Sequence, residues 1–170
     1  MAIFTLIPHP DHPPLAARGV TVEIARDGDG LRLVYRVDGA SRTVWPPAAP
    51  PVRTDELWRT TCFELFVKTD DKGGYAELNF SPSGQWAAYA FDSHRKGMRA
   101  LALSAPPRIE RRMDGIAVAC PLSGEHAALT AVIEEEGGHR SFWSLAHPCG
   151  VPDFHHDDCF VTLPPALGRP

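Results

Sequence analysis

Residues 75–91 read YAELNFSPSGQWAAYAF. A six-residue and a seven-residue run, rich in aromatic and small apolar side chains, flank Ser81-Pro82-Ser83-Gly84. Pro82 suits the first central position of a β-turn and Gly84 its exit, so the stretch reads as strand, tight turn, strand. Just upstream, Trp58 to Thr69 (WRTTCFELFVKT) alternates in the same way, and DDKGG at 70–74 turns the chain. The alternation of period two marks strands with one face turned to a core.

The pattern extends in both directions. Val20, Val22 and Ile24 alternate with Thr21 and Glu23; after the turn signal at 27–30, Leu31, Leu33, Tyr35 and Val37 alternate with Arg32 and Arg36. These form a hairpin. Strands are expected again at 101–103, 108–113, 116–121, 129–134, 140–146 and 160–163. The prolines between Pro46 and Pro51 forbid a ladder strand there, so 46–51 reads as a surface connection, and the tail 164–170 as frayed. No apolar stripe of helical period persists over three turns. The expectation is an all-β, antiparallel β-sandwich of the immunoglobulin or jelly-roll kind, one domain over 1–170.

Composition agrees. Apolar residues make up 44% of the 170 and charged residues 22%, which excludes a wholly disordered chain. Seventeen prolines and 14 glycines suit many turns better than long helices. A net charge of −4 lacks the basic footprint of a general nucleic-acid binder. The opening MAIFTLIPHPDHPP has no basic run and no long apolar stretch, so it reads as neither signal peptide nor membrane span, and a cytoplasmic location is expected. Cys62, Cys120, Cys149 and Cys159 form no C-x-x-C pair and are expected to be free thiols.

Setting Phe80 opposite Gln85 across the turn sorts the hairpin into two faces. Ala76, Leu78, Phe80, Ala87, Tyr89 and Phe91 then face the core with Phe63 and Leu65. Tyr75, Glu77, Asn79, Trp86, Ala88 and Ala90 face outward with Glu64. A one-residue slip would exchange the faces. The outward set offers two carboxyls, an amide, aromatic rings and small residues that leave room, a composition suited to a sugar or another small ligand. Glu64 and Glu77 also have the residue types of a glycosidase pair. Arg95, beside His94 and Lys96, would stand at the mouth of that face. Between His147 and Cys159, three histidines and two cysteines crowd into thirteen residues with Asp153, Asp157 and Asp158. These are metal-ligand types, but the spacing matches no zinc motif. His147 and His155 are expected to bond their loop in place or to reach a ligand.

Several blocks resemble DOMON-like proteins related to family 9 carbohydrate-binding modules: WRTTCFELFVK, YAELNFSPSGQWAAYAFDSHRKGM, SFWSLAHP and PDFHHDDCFVTL, together spanning roughly residues 20–163. Glu64 and the Asn79-Phe80-Ser81-Pro82-Ser83-Gly84 block follow the family pattern; Thr61 replaces its usual acidic residue. The resemblance implies a bacterial, non-catalytic β-sandwich that binds a small molecule, in the wider superfamily a sugar or a haem, with a sugar foremost here. Alternation and residue chemistry, together with the resemblance, set Glu64, Asn79 and Trp86 at the centre of the expected site, with Glu77, Arg95, His147, Asp153 and His155 also as binding residues. No catalytic residue and no metal or other cofactor is expected, and the weakly acidic charge and the lack of a membrane span speak for neither nucleic acid nor membrane as partner. The alternatives are a b-type haem domain using Met98 and His147, and a metal- or carboxylate-dependent hydrolase. No nucleophile elbow, phosphate loop or HExxH motif supports an enzyme.

Overall fold

The computed structural model describes residues 1–68, 73–165 and 167. Its strands are β1 (Ala2–Pro8), β2 (Gly19–Asp27), β3 (Gly30–Asp38), β4 (Cys62–Lys68), β5 (Tyr75–Phe80) and β6 (Trp86–Phe91) in the first half. There follow β7 (Arg99–Ala100), β8 (Arg108–Arg112), β9 (Gly115–Cys120), β10 (His126–Glu135), β11 (His139–Ser144) and β12 (Val161–Thr162). Helix among the described residues is confined to three single 3₁₀ turns, at 40–42, 57–59 and 157–159. Among the described residues no helix is long and apolar enough to cross a membrane.

The strands form one antiparallel sheet in the order β7-β6-β5-β4-β10-β11-β1-β2-β3-β9-β8, with β12 beside β10, curled into a half-barrel. The curl runs through β1. Ala2 to Leu6 pair with β2, whereas Ile7 and Pro8 pair with Ser144 and Trp143 of β11. Val20, Val22, Leu33, Tyr35 and Val118 from one half share a buried cluster with Phe63, Leu65, Leu78, Phe80, Leu129 and Ile133 from the other. The architecture is all-β and antiparallel, as expected, with the strands joined in one curled sheet. Apolar side chains occur on both faces of β1, with Ile3 and Ile7 exposed, which is why its alternation is hard to see in the sequence.

Most expected strands are present within a few residues. The expected strand at 58–69 begins only at Cys62, because 57–59 form a 3₁₀ turn; Thr69 and the turn at 70–72 lie outside the described residues. The expected strand at 101–103 is replaced by the short pair at 99–100. Residues 46–51 carry no strand, as the prolines require. Within the tail expected to fray, Leu167 is buried in the main core; 166 and 168–170 lie outside the described residues. All four cysteines are unbridged.

The hairpin register differs from the expected one by a single residue. Phe80 pairs with Trp86, Leu78 with Ala88 and Ala76 with Ala90. Ser81 N–H donates to Gln85 O at 3.0 Å, so the loop is three residues long, with Gly84 at φ +95. A three-residue hairpin loop that leaves through a left-handed glycine is a common solution. Ser83 tightens it, accepting from Gln85 N and donating to the Ser81 hydroxyl. By pleat parity the slip turns over all of β6. Trp86 and Ala88 join the core, while Tyr89 and Phe91 move to the opposite face.

Candidate functional site

The face of β4 and β5 away from the main core carries Cys62, Glu64, Phe66, Tyr75, Glu77 and Asn79, since Glu64 pairs with Asn79 and Phe66 with Glu77. β6 adds Ala87, Tyr89 and Phe91, and β10 adds Ala128, Thr130 and Val132. Thus Glu64, Glu77 and Asn79 share one face as expected. Trp86, expected beside them, is on the core face instead, 8% exposed, with the Arg53 guanidinium 4.7 Å from its ring centroid.

This outer face is covered rather than open. On one side, Phe154 and Cys159 pack with Phe66, Tyr75, Phe91, Ala128 and Val132. On the other, Leu57 of the 57–59 turn packs on Cys62, Ala87 and Tyr89. The polar groups occupy the ground between these apolar patches. Glu64 is 3% exposed, Glu77 7% and Asn79 1%. The Asn79 amide donates to Glu77 Oε1 at 2.9 Å, and the Thr130 hydroxyl donates to Glu64 Oε2 at 3.0 Å. Asn79 Oδ1 is buried without a partner.

Electrostatics follow from that burial. Desolvation and the neighbouring Glu77 charge push the Glu64 carboxyl up to about 8, against the Thr130 hydrogen bond and the field of Arg95. Burial also raises Glu77, opposed by Asn79 and Arg95. Burial, then Arg95, lowers His155 to about 4, so its ring is neutral near pH 7. His155 Nδ1 lies 2.7 Å from the Tyr75 hydroxyl, which accepts the Arg95 N–H at 3.1 Å. The Tyr75 proton is then directed to Nδ1, which leaves His155 Nε2 as the N–H, 3.7 Å from Glu77 Oε2.

Asp153 organises the rim. Its carboxylate receives Arg95 Nη2 at 2.8 Å and His94 Nε2 at 2.7 Å. Burial pushes this carboxyl up, but the bonds from His94 and Arg95 prevail and hold it below the usual range. Arg95 takes φ +53, and Glu56, flanking the opposite cover, takes φ +61. Among the described residues these are the non-glycine positions with positive φ. Strain of this kind persists where surrounding structure enforces it, often beside functional sites.

Of the eight expected binding residues, Glu64, Glu77, Asn79, Arg95, Asp153 and His155 are brought to this one face. Trp86 is turned away from it. His147 sits at the end of β1, its Nε2 2.9 Å from Ile7 O and its ring 4.9 Å from that of His9. Met98 is exposed, and His147 Nε2 is bonded to Ile7 O. Thr61, at the family's acidic position, is buried, and its hydroxyl accepts the Glu134 N–H at 3.1 Å. Among the described residues no group of three or more His, Cys, Asp or Glu converges as a metal site.

Sequence reasoning missed Thr130, Tyr89 and Trp58. Tyr89 donates to Asp55 Oδ1 at 2.5 Å, and Trp58, next to Leu57, is 44% exposed. An exposed tryptophan in a short turn was the available signal for the last. An open groove of about 850 Å³ lies elsewhere, between Pro51 and residues 105–109 and 119–121. Its lining is largely proline and alanine, with Asp27 and Arg108, and lacks the convergent polar groups of the outer face.

No protein-family profile and no curated protein sequence matches the chain. One solved structure does. It is a protein from Bacteroides uniformis ATCC 8492 described as a "putative carbohydrate-binding protein", with a TM-score of 0.61 over 94% of this chain and 84% of that one. Sequence identity is 18%, so the likeness is one of fold.

Proposed function

We propose that the chain is a non-catalytic carbohydrate-binding domain of the DOMON-like, sandwich-related kind. In this reading residues 1–170 act as one domain in the cytoplasm, the partner is a small sugar, and neither nucleic acid, membrane nor cofactor takes part. The observation that carries it is the Glu77–Asn79 pair beside Glu64, set between two covers, with Leu57 and Tyr89 on one side and Phe154 and Cys159 on the other. Paired carboxyl and amide groups fix hydroxyls; Trp58, the chain neighbour of Leu57, is 44% exposed and carries the Arg59 guanidinium 5.2 Å from its ring centroid. The fold likeness to the Bacteroides uniformis protein supports the same reading.

Isothermal titration of the purified protein against neutral and charged mono- and disaccharides tests the proposal. Binding is expected, weakened by about 1–3 kcal/mol in Trp58→Ala if the ring stacks on the sugar. Trp58 is 44% exposed and outside the buried clusters, so that variant is expected to stay folded. Failure of every sugar in the panel to bind overturns the reading.

A further inference from the structure

We infer that the groove where β2 and β9 end and β8 begins takes a short peptide with both ends free, its ammonium at Asp27 and its carboxylate at Arg108. The groove is open to solvent, holds about 850 Å³ and is separate from the covered outer face. That volume is in the range of small-ligand sites. Asp27 and Arg108 both line it. Among the described residues neither side chain makes a hydrogen bond or an ion pair. Arg32 lies in the same cross-strand row as Arg108, on the other side of Ala119, and is likewise unpartnered among the described residues. The groove thus has an acidic end and a basic end, both unneutralised.

The two charges stand well apart. β2, β3, β9 and β8 are successive neighbours in the sheet, so Asp27 and Arg108 are separated by three strand spacings, roughly 14 Å. A single small ion cannot answer both. An extended peptide of about four residues spans that distance and carries one charge of each sign at its ends. Its carboxylate suits the planar fork of Arg108, with Arg32 near enough to share the charge. Between the charges the wall is apolar. Pro51, Pro106, Pro107 and Pro121 have no N–H, so the wall donates nothing at these positions. A peptide supplies its own N–H donors and lays apolar side chains against the proline rings. A neutral sugar brings no charge to either end and sets hydroxyls against an apolar wall.

The test is titration calorimetry at pH 7 with two tetrapeptides, Ala-Phe-Phe-Ala and Ala-Leu-Leu-Ala, each with free ends, N-acetylated or C-amidated. At least one free peptide is expected to bind. Capping either end should weaken it about fivefold, the scale of an ion pair near the surface. In D27N the N-acetyl cap should cost less than about twofold, and in R108Q the amide cap likewise, each variant having lost the partner of that end. Both positions are exposed, so the variants should fold; if one does not, the capping comparison on the unaltered protein decides. Absence of binding by both free peptides at millimolar concentration overturns the inference. So does equal binding of free and capped peptides. Sensitivity to the amide cap alone also overturns it, because the groove would then be a site for simple anions. None of these outcomes touches the sugar-binding reading, which concerns the other face.

Discussion

The Tyr35 hydroxyl crosses the core and donates to the main-chain oxygen of Glu64 at 2.7 Å. The strand that presents the Glu64 carboxyl to the outer face is thus held from behind by the opposite half of the sheet. Tyr35 is fully buried, and its ring lies 5.0 Å from that of Phe63. Tyr35→Phe keeps the packing and removes the bond, so a loss of about 1 kcal/mol is expected. Chemical denaturation measures it; an unchanged midpoint would show that the bond contributes nothing net.

Trp86 tests the register. With its ring in the core, Trp86→Ala is expected to cost about 3–5 kcal/mol, as for other large buried aromatics. A cost under about 1 kcal/mol in a urea melt would return the ring to the outer face.

Glu64 sets a pH dependence. Its value in the folded protein, about 8, lies above the ordinary 4.5, so the folded state holds the proton longer than the unfolded chain. Stability from the neutral acid is complete below about pH 4.5 and is lost as pH rises towards 8. Glu64→Gln is neutral throughout. Its stability relative to the unaltered protein should therefore improve between pH 5 and pH 8, by at least about 1 kcal/mol. Denaturation curves at both pH values would show a constant gap if the carboxyl ionised normally.

Glu135 shows the opposite sign. Its carboxylate accepts N–H bonds from Leu15 and Ala16 at 2.6 Å and from Ala17 at 3.1 Å. Burial pushes the carboxyl up, but these three bonds prevail and lower it. Its contribution is present above the ordinary carboxyl range and is lost as pH falls through the depressed value. Glu135→Ala should cost about 1–3 kcal/mol at pH 7, with the deficit shrinking in acid. Proteolysis of the 9–17 segment in the variant gives an independent readout.

Asp153→Ala releases His94 and Arg95 from the rim. Those partners are half exposed, so the stability loss should stay under about 1 kcal/mol. Sugar affinity, in contrast, should drop severalfold as the rim loses its shape. Unchanged affinity would remove Arg95 from the site.

The sequence by itself determined what is local. Alternation along 20–37, 62–68 and 75–80 was enough to specify strands, because the pleat repeats every two residues. It also placed Glu77 and Asn79 on one face, since alternate positions of one strand share a side. Turn residues marked most strand ends. Across the SPSG turn that parity argument no longer held: whether Ser81 and Gln85 belong to the loop or to the ladder is a matter of one residue, yet it moved Trp86, Tyr89 and Phe91 to opposite faces. Only the tertiary structure decided this, through the three-residue loop and the apolar packing that Trp86 finds inside. Long-range closure was equally hidden. That β1 joins both halves, that residues 153–159 and 57 cover the outer face, and that His147 turns to Ile7 rather than to Glu77 depend on contacts between segments far apart in the chain. Such contacts leave no periodic trace, because they are chosen by the burial of whole surfaces against one another and not by the order of neighbouring residues.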